Sequence, residues 1–359
     1  SLFSGATLRV NLKQETVSAS GQEFTAFQGS SGSGVPFEVI KISKDLGKTV
    51  PAEGEEEVEQ KASGQIIIFN DFDTNDQRLI KNTRFETPEG LIYRVNESVV
   101  VPGVKSQNGS KTPGSVEVTV YADEPGAKYN IGLKDFTIPG FKGDPRFEKM
   151  YARSKTDMKG GFVGIMKKVS ELQLKTARAE LSDELKTSLK EDMEAQIPGD
   201  FVVYEQGMFF DFESLPQSES RGDSVQVNER GTLSAVMFNR ALLSKYISEI
   251  LVPEMSSIGK VSIFEIENMP VVIDESGTFD PSTSGVFSFF VDSSVTFVSQ
   301  FDEESLITDL VGKHKKELAS ILESYPSISK ADVVIKPIWK RTFPKKSKDI
   351  KVEIVTIND

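Results

Sequence analysis

The chain has no cysteine, one histidine and one tryptophan among its 359 residues. Without cysteine it forms no disulfide, holds no zinc through thiolates and offers no thiol nucleophile, although this does not fix its compartment. A single histidine, His314, leaves little room for metal sites built on several imidazoles or for a Ser-His-Asp arrangement. No apolar run approaches the roughly 20 residues that cross a bilayer as a helix. Positive charge is also short: 42 Lys and Arg stand against 54 Asp and Glu, a net charge of −12. A general nucleic-acid binder needs the opposite balance, and an anionic membrane surface is disfavoured as the main partner for the same reason. The chain starts at Ser1 with no basic or apolar leader. The expectation is that processing or trimming has removed something ahead of it, a signal or a membrane anchor among the options.

What the chain does have is length for two or three domains and a strong alternating pattern. Leu8, Val10 and Leu12 alternate within 6–27, and 37–42 repeats the theme. Between them lies the flexible run Gln28-Gly29-Ser30-Ser31-Gly32-Ser33-Gly34. Five glutamates in 53–59 read as a solvated surface run. Ile66-Ile67-Ile68-Phe69 predicts a buried strand, and 71–77 a polar turn. Arg84-Phe85-Glu86 and Leu91-Ile92-Tyr93-Arg94-Val95 flank Pro88-Glu89-Gly90, a hairpin signature. Strands at 98–101 and 116–121 complete a β-rich block. The period changes over 165–195, where Leu181, Leu185, Leu189 and Met193 recur every four residues, with a second helix start expected near Ser182. Strands return at 201–204 and 208–212, helices are predicted over 233–250 and 303–323, and 332–338 and 350–357 predict a terminal strand pair. The fold class is therefore α+β and multi-domain, with a β-rich N-terminal half, a helical middle segment and a C-terminal α-β-β unit. The expected divisions are 1–62, 63–160, 161–200, 201–302 and 303–359.

Candidate chemistry is sparse. Asp71, Asp73 and Asn75 have the first oxygen spacings of a calcium loop, but Asp76 and Asn82 stand where glycine and a bidentate glutamate belong, so an Asx-type turn is expected. Arg221-Gly222-Asp223-Ser224 matches an integrin-binding tetrapeptide in a polar loop, and Asn96 and Asn108 head glycosylation sequons. His314 is expected on the 303–323 helix, facing solvent amid lysines. Asp183-Glu184 and Glu303-Glu304 are expected at helix starts, complementing the macrodipole. Gly160, Gly161 and Gly164 lack the Gly-Lys-Ser/Thr ending of a phosphate loop and are expected to bend the backbone into a helix. No residue is nominated as catalytic, cofactor-binding or metal-binding.

One segment, Tyr121 to Gly140, is unusually rich in turn formers. Thr83-Arg84-Phe85-Glu86-Thr87 with Glu89-Gly90 resembles the Phe-x-Thr strand pair before a Gly turn in phage baseplate J-like proteins. The strand 116–122 ending in Ala122, then Gly126 and Tyr129-Asn130, is similar to that family's next strand and its Gly and Tyr-Asn pair. Lys159-Gly160-Gly161 falls where the family places Thr-Gly-Gly. The resemblance covers 63–195. It departs just after Gly161, where Phe162-Val163-Gly164 stands in place of acidic and arginine-bearing positions. The flanks 1–61 and 201–359 lie outside it and look more like extracytoplasmic surface modules.

The resemblance implies a non-enzymatic structural protein without cofactors, a component of a phage tail, contractile injection machine or cell-surface apparatus. Its expected partners are other copies or neighbouring subunits, and its expected place is the cell surface or a tail-like particle. An alternative is a membrane-anchored extracytoplasmic scaffold with its anchor removed. An enzyme acting on glycans through carboxylates is the third option. The α-β-β tail either caps the chain or packs side by side with its copies in a ring.

Overall fold

The computed structural model describes residues 5–29, 31–219, 222–273, 279–281 and 285–355. Strand makes up 48% and helix 21% of it, so the chain is mixed α+β with a β-rich character. Long-range strand pairing gathers separate stretches into two units: Ser1–Ile42, Lys190–Phe210 and Leu233–Asp359 in the first, Ser43–Leu189 and Asp211–Thr232 in the second. The consecutive segments expected from the sequence are thus regrouped. The segment 1–62 divides after Ile42, 161–200 after Leu189, and 201–302 after Phe210 and again after Thr232.

In the first unit, Gly5–Leu12 is the middle strand of a three-stranded sheet. It pairs antiparallel with Ile328–Lys336 and parallel with Ile350–Ile354. The expected terminal strand pair is corrected by this: the two C-terminal strands flank the N-terminal one and do not pair with each other. Residues 356–357 of that expectation lie outside the described residues. Leu8 and Val10 are fully buried and pack in one cluster with Leu306, Leu310, Val333 and Ile335. The 303–323 helix is also corrected. Glu303–Leu310 ends ahead of Gly312, whose φ of +70° breaks the ladder, and a second helix, Leu318–Leu322, follows a 3₁₀ turn at Lys315–Glu317.

The unit's other core is aromatic. Phe24 stacks on Phe289 at 5.4 Å, and Phe238, Phe287 and Phe297 join them. Helix Arg240–Leu251 adds Leu243 and Ile247. It starts at Arg240 and not at 233, because 233–239 continue the long strand Ser224–Asn239. Asn239 ends that strand and caps the helix, its side chain accepting from the amides of Ala241 and Leu242 at 3.1 Å each.

The second unit contains a six-stranded antiparallel sheet in the order Asp135–Phe136, Met150–Ser154, Ser63–Asn70, Gly114–Ala122, Ile92–Arg94, Arg84–Glu86. Its two outer strands are joined by reciprocal bonds between Glu86 and Thr137, at 2.9 and 3.0 Å. The sheet therefore closes into a small barrel, which removes the exposed edges of an open sheet. Alternation fills its interior with Ile66, Ile68, Phe85, Tyr93, Val120, Phe136, Met150 and Ala152, all buried. The Pro88-Glu89-Gly90 turn joins its hairpin as expected, with Gly90 at φ +85°.

Beside the barrel, Glu55–Gln60 and Phe162–Lys167 form a two-stranded antiparallel ribbon. The helical segment thus begins later than expected, at Glu171, and runs unbroken to Glu194. The predicted stripe holds: Leu181, Leu185, Leu189 and Met193 are all buried. Ala177 and Leu181 pack against Val50, Val169, Val225 and Val227.

Candidate functional site

The turn residues of the 121–140 segment and of Gly160-Gly161 meet at one place in the second unit. Asn130 and Gly161 exchange two hydrogen bonds: the Asn130 amide donates to the Gly161 carbonyl at 2.8 Å, and the Gly161 amide donates to Asn130 Oδ1 at 2.7 Å. A Cβ on Gly161 would overlap the carbonyl oxygen of Gly126, which itself sits at φ +126°. Tyr93, in the barrel interior, donates its hydroxyl to the Tyr129 carbonyl at 2.7 Å and meets the Tyr129 and Phe136 rings edge-on at 5.8 Å. Burial pushes the Tyr93 phenol above its ordinary range, so it stays a neutral donor. Gly126, Tyr129-Asn130 and Gly160-Gly161 are therefore locks that hold the segment after strand Gly114–Ala122 against the entry to the ribbon. The glycines lead into a strand, which corrects the expectation that they bend into a helix.

A second cluster in the same unit escaped sequence reading. Arg230, with its side chain 4% exposed, makes a bidentate pair with Asp45 at 2.7 and 2.9 Å and lies 4.0 Å from Glu213. Glu213 accepts from the Thr119 hydroxyl at 3.1 Å and from Tyr121. Glu229 accepts from Ser214 at 3.4 Å and faces Arg178 at 3.7 Å. Burial pushes both glutamates above the usual carboxylate range, against the pull of Arg230 on Glu213 and of Arg178 on Glu229. Asp45, Ser63, Asp157, Lys159, Asn228 and Arg230 line an adjoining cavity of about 360 Å³. The one available signal was Glu229 at an inward position of the alternating run Val225, Val227, Glu229.

The residues singled out in the sequence lie apart from this cluster. In the acidic turn, Asp73 accepts from the Asn75 amide at 2.5 Å and Asp76 from the Gly103 amide at 3.1 Å. Asn70 accepts from the Phe72 amide and donates to the Asn75 and Pro102 carbonyls, so the segment is an Asx-type turn. No group of three or more Asp, Glu or His among the described residues is placed to hold a metal ion. His314 is not on a helix as expected. It caps the Lys315–Glu317 turn, Nδ1 accepting from the Lys316 amide at 3.1 Å while its own amide donates to Glu317 at 2.7 Å. Asp183 and Glu184 lie in mid-helix on its exposed side, because the helix does not restart at Ser182. Glu303 and Glu304 do open a helix, which Asp302 caps. Arg221 of the tetrapeptide lies outside the described residues, while Asp223 is fully exposed. Asn96 and Asn108 are exposed.

Among the large apolar side chains left in solvent are two closely spaced pairs. Ile338 and Trp339 are 89% and 81% exposed in the loop between the last two strands of the first unit. Val163 and Ile165 are 57% and 65% exposed on the ribbon of the second. No helix among the described residues is long and apolar enough to cross a membrane. In comparisons with known proteins, no family model and no curated protein matches the chain.

Proposed function

We propose that the protein is a non-enzymatic structural subunit, baseplate-like in its barrel unit, that builds a tail-like, injection or cell-surface apparatus by packing against other copies or neighbouring subunits. The observation that carries this reading is the use made of the motif residues. The glycines, Asn130 and the tyrosines fix backbone against backbone and rigidify a closed barrel, whereas the large apolar side chains left in solvent lie outside the barrel's six strands. Rigid closed sheets with a few solvent-facing apolar positions suit a part that must meet neighbours without rearranging. On this reading no cofactor is needed, and the work is done outside the cytoplasm, at the cell surface or on a particle. A scaffold held to a membrane by a segment beyond this chain uses the same surfaces.

One observation favours a second reading, an enzyme acting on glycans through carboxylates: Glu213 and Glu229 are both held above the usual carboxylate range in the unit that contains the 360 Å³ cavity. The two readings part in one experiment. The purified protein is followed by light scattering over a concentration series and assayed in parallel on a glycan panel. Association without turnover supports the subunit. Saturable turnover abolished by Glu213→Gln or Glu229→Gln overturns it in favour of the enzyme.

A further inference from the structure

The exposed loop of the first unit is built rather than slack. The Lys340 amide donates to the Pro337 carbonyl at 2.9 Å, closing a turn whose two corner residues are Ile338 and Trp339. Behind it, Phe343 is buried in the core with Leu306 and Leu310. The Lys315 amide donates to the Arg341 carbonyl at 2.7 Å, and the Phe343 amide to the Lys313 carbonyl at 2.8 Å. A bridge between His314 and Thr342 completes the base, so the histidine-capped turn braces the loop. The tip is thus held in place with its apolar corners in water. Around it stand Lys336, Lys340, Arg341, Lys345, Lys346 and Lys348, all exposed and none ion-paired among the described residues. In a chain of net charge −12 this is a concentrated basic and apolar knob.

The ribbon of the second unit has the opposite character. Its register pairs Glu59 with Val163, Glu57 with Ile165 and Glu55 with Lys167. Directly paired residues, and alternate residues along each strand, share a face. One face therefore carries two exposed β-branched side chains bordered by Glu55, Glu57 and Glu59. These three glutamates are exposed and form no ion pair among the described residues. Lys167 on the same face is turned to the Gly222 carbonyl and to Asp223 at 3.3 Å.

We infer that the 336–348 loop of one copy docks on the Glu55/Glu57/Glu59–Val163/Ile165 face of the ribbon of a second copy. Ile338 and Trp339 cover Val163 and Ile165, and the loop cations meet the glutamates. The inference rests on the assembly reading and names its contact. Both partners are on the page, complementary in charge and in apolar content, and the preformed loop loses little freedom on binding. Because the two surfaces differ, the contact is head-to-tail: repeated, it gives a ring if the rotation closes and a filament if it does not.

Trp339, the single tryptophan of the chain, reports docking directly. Sedimentation and tryptophan emission are followed over a concentration series at low and high salt. Two full-length variants of exposed residues are compared with the parent: a loop variant, Ile338→Ser with Trp339→Ser, and a ribbon variant, Glu57→Lys with Glu59→Lys. The parent is expected to associate with a blue shift of its emission, more weakly at high salt. Each variant alone should require at least about thirty-fold higher concentration, the cost of removing an interface anchor. Mixed in equal amounts, the two should form a one-to-one dimer that grows no further, because only one intact loop and one intact ribbon remain. The emission of the ribbon variant should shift on mixing. Association unchanged in both variants, or a mixture that stays dissociated, overturns this contact and leaves assembly through another face. A parent that never associates overturns the contact and self-assembly together. A blue shift on anionic phosphatidylserine vesicles but not on self-concentration replaces the second copy with a membrane.

Discussion

Replacing Asn130 with alanine should loosen the second unit at the point where its turn motifs meet. Gly161 is buried, and the Asn130 side chain both donates to its carbonyl at 2.8 Å and accepts from its amide at 2.7 Å. Neither group of Gly161 has another partner among the described residues. The substitution thus removes two hydrogen bonds and leaves a buried amide and carbonyl unpaired. Each orphaned group costs about 1–3 kcal/mol, and partial access of water brings the sum to about 2–4 kcal/mol. For a unit of this size that lowers the melting midpoint by roughly 4–16 °C. Calorimetry reads the midpoint, and hydrogen exchange at Gly161 and Phe162 locates the loss. Asn130→Asp keeps the acceptor and loses the donor, so it should fall between parent and alanine. A change below about 0.5 kcal/mol for Asn130→Ala, with unchanged exchange at Gly161, would refute the claim that this pair locks the unit.

Three further perturbations have definite outcomes. Arg230→Ala strips the buried cation from Asp45 and Glu213 and should cost about 2–4 kcal/mol by urea unfolding, less than a fully buried pair because Asp45 is half exposed. Burial holds Glu213 above the ordinary carboxylate value, so folding takes up a proton there. That contribution is complete below the ordinary value and is lost as pH rises through the raised one. Glu213→Gln, which keeps an acceptor for Thr119 and Tyr121, should accordingly gain stability relative to the parent as pH goes from about 4 to 8 in urea midpoints; a gap that moves the other way contradicts the assigned direction. Asn239→Ala removes both cap bonds of helix Arg240–Leu251 and should cost about 1 kcal/mol in the first unit, with faster exchange at Ala241 and Leu242.

Local chemistry explains how much of this was legible in the sequence. Four of the barrel strands could be read: the Arg84–Glu86 and Ile92–Arg94 hairpin from its glycine turn, Gly114–Ala122 from its alternation and Ser63–Asn70 from its apolar run. Asp135–Phe136 and Met150–Ser154 carry too little local pattern to mark them. The stripe on Glu171–Glu194 could be read because four residues repeat at one period. Boundaries were lost where two patterns overlap. Leu233 to Asn239 is apolar enough for either state, and its strand partners decide it. Gly312 interrupts a helical pattern without altering its periodicity, and only its positive φ makes the break.

The charged cluster was illegible for another reason. Arg230 and Asp45 are 185 residues apart, and nothing local marks Arg230 as buried or Asp45 as its partner. The units themselves are discontinuous, with Gly5–Leu12 paired to strands more than 300 residues away, so a reading in consecutive segments could not find them. The faces proposed to dock were half visible. The glutamate run was read as solvated, which it is, but only the pairing register sets Val163 and Ile165 beside it.

The central claim is that this protein works by assembling. The most direct test is its mass in solution, measured by light scattering over a concentration series on the intact chain. The account predicts a discrete oligomer or mass that grows with concentration and falls with salt. A strict monomer across the whole series would contradict it.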